Sequence, residues 1–241
     1  MDELDDCVHI VTIEGGIGVG KSTAVDALRK ARPSLTLVDE PVGDWEESGL
    51  LECMYNNTIC KGTFQIAALA TRFAPLLKEA RHGTRQIVTE RCPWSDLHVF
   101  TKANIDEASN DMKAYRMAFD ALMTALPKKV HLHIIYLRAD VDAQLERIRA
   151  RARPAERFDT PQAEADRRMY LEKLQKLQNR FFTLTEQEMG VASCSRHVID
   201  ASMPPSQVAQ DMVRVLSEVA PVKIEARDAL VGVKRRCERV P

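Results

Sequence analysis

Short apolar runs rich in β-branched residues punctuate this 241-residue chain, and between them lie longer stretches in which apolar positions recur every three or four residues. The short runs predict strands over residues 8–13, 35–39, 86–90, 130–137 and 197–200. The longer stretches predict helices over 21–31, 63–80, 111–126, 140–153, 162–188 and 206–219. Strands separated by helices are joined by right-handed crossovers, so the pattern implies an α/β fold, a doubly wound five-stranded parallel sheet flanked by helices. Ligands of such sheets bind outside the carboxyl ends of the strands, which makes the residues just after each strand the candidates for chemistry.

Composition narrows the picture. With 45% hydrophobic and 29% charged residues, the chain can bury a sizeable core as one globular unit. Its 34 Lys and Arg against 35 Asp and Glu leave a formal charge of -1, so no global field draws in nucleic acid or an acidic membrane, and any polyanion must be met by a local cluster. No apolar run approaches the ~20 residues of a membrane span. The opening residues 1–6 are acidic, unlike a signal or transit peptide, and the expected compartment is the cytoplasm. Cys7, Cys53, Cys60, Cys92, Cys194 and Cys237 are scattered without a C-x-x-C pair and read as reduced thiols rather than as zinc ligands or a disulfide frame. Residues 1–221 are read as the functional domain. Residues 222–241 form a C-terminal extension in which six Lys and Arg, including Lys234-Arg235-Arg236, outnumber three acids. A nuclear signal or a phosphate contact stands there against a solvated tail, and no function is assigned.

Directly after the first strand, Gly15-Gly16-Ile17-Gly18-Val19-Gly20-Lys21-Ser22-Thr23 matches G-x-x-x-x-G-K-[ST] and opens a helix. Glycines allow the tight path that turns successive N–H groups toward phosphate oxygens, and the helix start adds a favourable dipole. Lys21 is placed to reach the β- and γ-phosphates and Ser22 to ligate Mg²⁺. The motif indicates a nucleoside triphosphate and leaves the acceptor open. D-x-x-G and N-K-x-D, which a GTP switch would carry, are absent.

The second predicted strand is followed by Asp39-Glu40-Pro41-Val42-Gly43-Asp44-Trp45, and the third ends in Thr89-Glu90-Arg91-Cys92-Pro93-Trp94-Ser95-Asp96. Together with the phosphate loop, Phe64-Gln65 followed by Arg72, and the basic stretch Arg147, Arg151, Arg153 and Glu156, these give five motifs in the order of the deoxyribonucleoside kinases. The chain resembles that family over residues 8–200. It departs at Cys92, where the family usually has Ser, at Leu97, where it often has Arg, and in the C-terminal extension. The resemblance implies a P-loop kinase fold with an Arg-rich lid and Mg²⁺-dependent transfer of the ATP γ-phosphoryl group to the 5′-hydroxyl of a deoxyribonucleoside in nucleotide salvage. It also implies a homodimer packed through helices, while the near-neutral charge leads to no nucleic-acid or membrane partner being expected.

Residue chemistry fits these roles. Glu40, at a strand end beside the phosphate loop, can orient a 5′-hydroxyl and take its proton late, the part of a catalytic base; a helix cap is the alternative. Glu90 can hold Mg²⁺ through water while Arg91 neutralises the transferring oxygens, or the two can form a structural ion pair. Like charges at Arg147, Arg151 and Arg153 disfavour a bare helix and favour one that meets a triphosphate, although a solvated face balanced by Asp142 and Glu146 remains open. Gln65 can pair in two points with a base edge, and Trp45 and Phe100 can cover its faces, if they are not simply core. Tyr55 and Glu156 match family positions that contact the sugar 3′-hydroxyl. Arg72 and Asp96 match a pair found in members acting on deoxycytidine and deoxypurines, where the carboxylate accepts from an exocyclic amine; an internal salt bridge is the other reading. The stretch 151–159 looks instead like the lid of herpesvirus thymidine kinases, which leaves a thymidine kinase and a host-cytoplasmic viral protein open. A thymidylate-type monophosphate kinase and a nucleotide-gated interaction protein are the remaining alternatives.

Overall fold

The computed structural model describes residues 7–219. Five strands, β1 (Cys7–Gly15), β2 (Leu37–Val38), β3 (Gln86–Glu90), β4 (Lys129–Arg138) and β5 (Ser193–Asp200), form one sheet in the order β2-β3-β1-β4-β5 with every pairing parallel. The chain first builds the β2 side of β1 and then crosses to the β4 side, so the connection reverses at β1. Such a reversal opens a crevice at the carboxyl ends of the strands.

Eleven helical segments surround the sheet among the described residues: α1 (Lys21–Ala31), α2 (Val42–Glu47), α3 (Leu50–Tyr55), α4 (Lys61–Arg81), α5 (Pro93–Ser95), α6 (Lys102–Asn104), α7 (Asn110–Met123), α8 (Val141–Arg151), α9 (Pro161–Phe181), α10 (Glu186–Met189) and α11 (Pro205–Val219). A π-helical turn over Asp96–Thr101 joins α5 to α6. Because side chains alternate across a strand, each central strand feeds two cores. Ile10, Leu132 and Ile134 pack on one face with Phe73 of α4, Tyr115 of α7 and Leu174 of α9. On the other face Val11, Ile13, Ile135 and Leu137 meet Leu28 of α1 and Met212 of α11. No helix among the described residues is long and apolar enough to cross a membrane, and Cys7, Cys53, Cys60, Cys92 and Cys194 are free thiols.

Several predicted elements differ, the strand expected over 35–39 shrinking to Leu37–Val38 and the helix over 111–126 ending at Met123, and three others have an evident cause. The helix expected over 162–188 breaks after Phe181, because Thr185 and Glu188 form a reciprocal capping box that starts α10 afresh. The helix expected over 140–153 stops at Arg151: Ala152 turns left-handed (φ 55°, ψ 31°), and Arg153 is extended before Pro154, which starts a 3₁₀ turn, Pro154–Glu156. The fifth strand begins at Ser193 rather than at residue 197, since His131 and His133 of β4 supply partners for Ser193 and Ser195. The helices α2 and α3 were not predicted. The extension 222–241 lies outside the described residues.

Candidate active site

A cavity of about 490 Å³ opens at the carboxyl ends of the strands. Ile17, Gly18, Gly20, Lys21, Ser22 and Thr23 line one side, and Glu40, Trp45, Tyr55, Gln65, Arg72, Glu90, Arg91, Asp96, Phe100, Arg147, Arg151, Arg153 and Glu156 the rest. Of the site residues proposed from sequence, Gly15, Gly16 and Val19 alone stay outside the lining. Gly15 is the last residue of β1, Gly16 starts the loop, and Val19 is buried in the core shared with α1 and α11.

Chain geometry makes the phosphate loop. Gly18 has φ +77° and lies so near α8 that a Cβ there would sit 2.7 Å from the Gln144 carbonyl oxygen, so only glycine fits. Helix α1 has no side-chain cap and no acid in its first turn, which leaves its first N–H groups for an anion. Buried Lys21 donates to the Gly16 carbonyl at 3.0 Å. Burial and then the Arg91 charge bring its pKa down to about 8, although Glu90, Glu40 and Glu14 pull the other way.

Opposite the loop stands a chain of buried charges. Arg72 bridges two acids, donating to Glu40 Oε1 at 2.6 Å and, through its other terminal nitrogen, to Asp96 Oδ1. Arg91 Nε donates to the Glu40 carboxylate at 3.2 Å. Burial alone would raise Glu40, but the Arg91, Arg72 and Lys21 charges outweigh it and hold the carboxyl at about 2. Arg91 adopts φ +65° immediately after β3, donates to the Gly15 carbonyl at 3.1 Å and lies 4.1 Å above the Phe100 ring. Left-handed backbone at a non-glycine residue is costly and persists where its surroundings hold it.

Ser22 Oγ donates to Glu90 Oε1 at 3.1 Å. Two hard oxygen donors at the rim of a phosphate loop are the donor set a divalent cation takes, so these residues fit one. Burial, with Glu40 adding to it, raises Glu90 against the pull of Lys21, Arg91 and the Ser22 hydrogen bond.

On the acceptor side, Asp96 is 1% exposed and also accepts from the Tyr115 hydroxyl at 2.8 Å. Burial raises its carboxyl, opposed by Arg72 and Tyr115. Gln65 is buried and its Oε1 has no hydrogen-bond partner, an amide left open for a ligand edge. Trp45 meets Phe64 edge to face at 5.5 Å, lies 5.0 Å beneath the Arg72 guanidinium and donates Nε1 to Thr71 at 3.0 Å. Tyr55 sits beneath Arg167 at 4.7 Å.

The basic stretch divides. Arg147 donates to the backbone carbonyls of Val19 at 2.9 Å and Ala201 at 2.7 Å, tying the phosphate loop to the end of β5. Arg151 and Arg153 both pair with buried Glu156, and Arg153 also reaches Glu46 at 2.6 Å. Sequence reasoning missed Glu14 and Tyr115. Glu14 is 2% exposed and accepts from Thr12 at 2.6 Å and from the Cys92 N–H at 3.1 Å, with its second oxygen 4.0 Å from Arg91. An acid inside an apolar strand was the available signal. Tyr115 carried none, being one aromatic among the apolar positions of α7.

Known proteins share this arrangement of elements. A family model described as deoxynucleoside kinase matches residues 11–221. A protein of Invertebrate iridescent virus 3 named as a kinase, 029R, is 28% identical over 214 residues, 88% of this chain and 98% of that one. The deoxyadenosine/deoxycytidine kinase of Bacillus subtilis (strain 168) is 32% identical over 155 residues, 61% of this chain and 67% of that one. The solved deoxyadenosine kinase of M. mycoides, with product dCMP and a flexible dCDP bound, has a TM-score of 0.66 at 24% identity, covering 87% of this chain and 100% of that one. That last likeness is one of fold.

Proposed function

Because the chain belongs to the deoxynucleoside kinase family, we propose that its preferred acceptors are deoxycytidine and the deoxypurine nucleosides, with ATP as donor and Mg²⁺ as the metal. The activity itself, phosphorylation of a nucleoside 5′-hydroxyl in salvage, is the family's. The observation that supports the preference is the Arg72 bridge, which holds Asp96 and Glu40 on two nitrogens of one guanidinium; in this reading Asp96 faces the base and Glu40 the sugar. An amine on the base can donate to Asp96, whose oxygens keep free lone pairs beside Arg72 and Tyr115. Thymine turns a carbonyl oxygen to the same place, where a carboxylate repels it. Gln65 supplies the remaining donor and acceptor, and Trp45 and Phe100 supply faces for the ring.

Glu40, held ionised down to about pH 2, is a weak base in the ground state. It acts first by accepting a hydrogen bond from the 5′-hydroxyl and fixing that oxygen in line with the γ-phosphorus, and it takes the proton once the P–O bond has largely formed. Lys21 and Arg91 face the oxygens that gather charge. Held by Ser22 and Glu90, Mg²⁺ would neutralise charge on the β- and γ-phosphates.

Initial rates for the four deoxynucleosides with ATP and Mg²⁺ test the reading. Deoxycytidine and a deoxypurine nucleoside are expected to outrun thymidine; thymidine as the best acceptor would overturn it. Glu40→Ala is expected to lower turnover by ~10² to 10⁴ with ATP affinity little changed, and a rate within a few-fold of the parent would take the residue out of this role.

A further inference from the structure

At the amino-terminal ends of the strands, remote from the cavity, one face of the sheet carries a patch that phosphoryl transfer does not use. Cys7 and His9 of β1 lie on the same face as His131 and His133 of β4 and Ser193, Ser195 and His197 of β5. The register pairs His9 with His131, His131 with Ser193 and His133 with Ser195, and alternation turns all of them to the side that farther along holds Val11, Ile13 and Ile135. Four imidazoles and a thiol thus occupy positions that continue an apolar row.

Three of these groups converge. Cys7, His9 and His131 each bring one ligand atom within 4.8 Å of the others, and all three are partly exposed. The ligands of a tetrahedral zinc ion stand ~3.5 Å apart, given Zn–N and Zn–S bonds of about 2.0 and 2.3 Å, so the ligand atoms draw in by about 1 Å as the side chains turn toward the ion. The His9 and His131 rings stack at 4.7 Å with 18° between their planes, so they turn out of that stack to aim both lone pairs at one ion, while neighbours hold their other nitrogens. His131 Nδ1 lies 2.7 Å from Ser193 Oγ, His9 Nδ1 lies 3.0 Å from His133 Nε2, and His133 Nδ1 lies 2.7 Å from Ser195 Oγ. A hydrogen bond between two ring nitrogens needs one of them unprotonated, so the His9–His133 pair includes a neutral imidazole. With Nδ1 of His9 and of His131 donating along these bonds, Nε2 of each is left as the ligand atom, the outer-shell arrangement that fixes the tautomer and strengthens metal-bound histidines. On the same face, His197 Nε2 is buried without a hydrogen-bond partner.

We propose that Cys7, His9 and His131 form a zinc site with water as the fourth ligand. A thiolate and two imidazoles suit a borderline-soft ion and offer nothing to Mg²⁺ or Ca²⁺, which take oxygen. On binding, the Cys7 thiol releases its proton to solvent and the thiolate forms the S–Zn bond. The ion cross-links β1 to β4. It lies ~20 Å from Gly15, since the six residues from His9 rise about 3.3 Å each, and it therefore acts on stability rather than on the reaction. The two short segments holding its ligands are separated by more than half the chain, which is why no spacing rule reveals it.

The full chain, stripped with a chelator and desalted, is titrated with Co²⁺ as a spectroscopic stand-in and with Zn²⁺. One equivalent of Co²⁺ is expected to give the visible bands of tetrahedral cobalt and a near-ultraviolet thiolate-to-cobalt band, and Cys7→Ser is expected to lose the latter. His9→Asn and His131→Asn are expected to weaken zinc binding at least ~10-fold. Zn²⁺ is expected to raise the melting temperature of the parent and not that of the variants, while kinase activity of the stripped variants with ATP and Mg²⁺ stays at the parental level and certifies their folding. An octahedral spectrum without the thiolate band, a band that survives in Cys7→Ser, or equal zinc affinity in the histidine variants would overturn the assignment.

Discussion

Two guanidiniums and an ammonium surround Glu40, and their combined field exceeds the burial that opposes it. The same field acts in reverse on Lys21, whose pKa falls to about 8 because burial and Arg91 together exceed the three acids around it. The sign of the consequence is fixed: an ammonium is charged below its pKa, so its attraction for a triphosphate is complete well below pH 8, half lost at pH 8 and absent well above it. Affinity of the free enzyme for ATP is therefore expected to fall as pH rises from 7.5 to 9.5. Fluorescence or calorimetric titration across that range checks it, and Lys21→Gln is expected to remove the slope along with most of the affinity. A constant affinity up to pH 9.5 would show that bound phosphate never meets a titrating Lys21. At this scale the sequence was informative where motifs carry chemistry at fixed spacing, as at Lys21, Ser22 and the Glu90-Arg91 pair. The Arg72–Asp96 pair was expected from the family resemblance, and the two are joined in a buried ion pair, but their further partners were not legible: that Arg72 also holds Glu40, or that Tyr115 completes Asp96, depends on α4, α7 and the π turn meeting side by side.

Elements carry their own signals, and the lid illustrates how competing ones are resolved. Periodicity alone extends α8 to residue 153, yet Pro154 disfavours helix at the residue before it, and the helix ends two residues earlier in left-handed Ala152. That turn is what sends Arg151 and Arg153 back onto Glu156. An L residue in this conformation costs about 1–2 kcal/mol, of which the greater unfolded-state freedom of glycine cancels ~0.5–1. Ala152→Gly is thus expected to stabilise the protein by roughly 0.5–1 kcal/mol, raising Tm by about 1–4 °C for a chain of this size, whereas β-branched Ala152→Val is expected to lower it. Thermal denaturation of the two variants beside the parent decides, and a Tm for Ala152→Gly at or below the parental value would mean that the turn is not strained. The Thr185 to Glu188 capping box was likewise legible but lay hidden inside a long helical period. The π turn over Asp96–Thr101 has no sequence mark: it follows from packing α5 and α6 around Trp94 and Phe100, both buried in the larger core.

For the whole molecule, alternation of strands and helices implied a parallel sheet and a site at its carboxyl edge, but not the strand order, because any of several orders buries the same apolar runs. The order β2-β3-β1-β4-β5 places β1 at the centre between β3 and β4, and divides the interior into one core under α4, α7 and α9 and another under α1 and α11. The sheet backbone between them is held by parallel hydrogen bonds and does not yield to a missing methyl group on either side. Ile10, on the first face, and Ile135, on the second, are both fully buried and stand on neighbouring strands about 11 Å apart, three residues out of register at ~3.3 Å per residue and one strand spacing of ~4.8 Å across. Ile10→Val and Ile135→Val are each expected to cost about 0.5–1.5 kcal/mol, and the double variant is expected to show their sum within ~0.5 kcal/mol, the behaviour of sites with no shared partners. Denaturant unfolding of the four proteins measures the coupling. A coupling above ~1 kcal/mol would mean that the two cores relax together through the sheet, and a change on one face would then be felt at the phosphate loop that β1 carries.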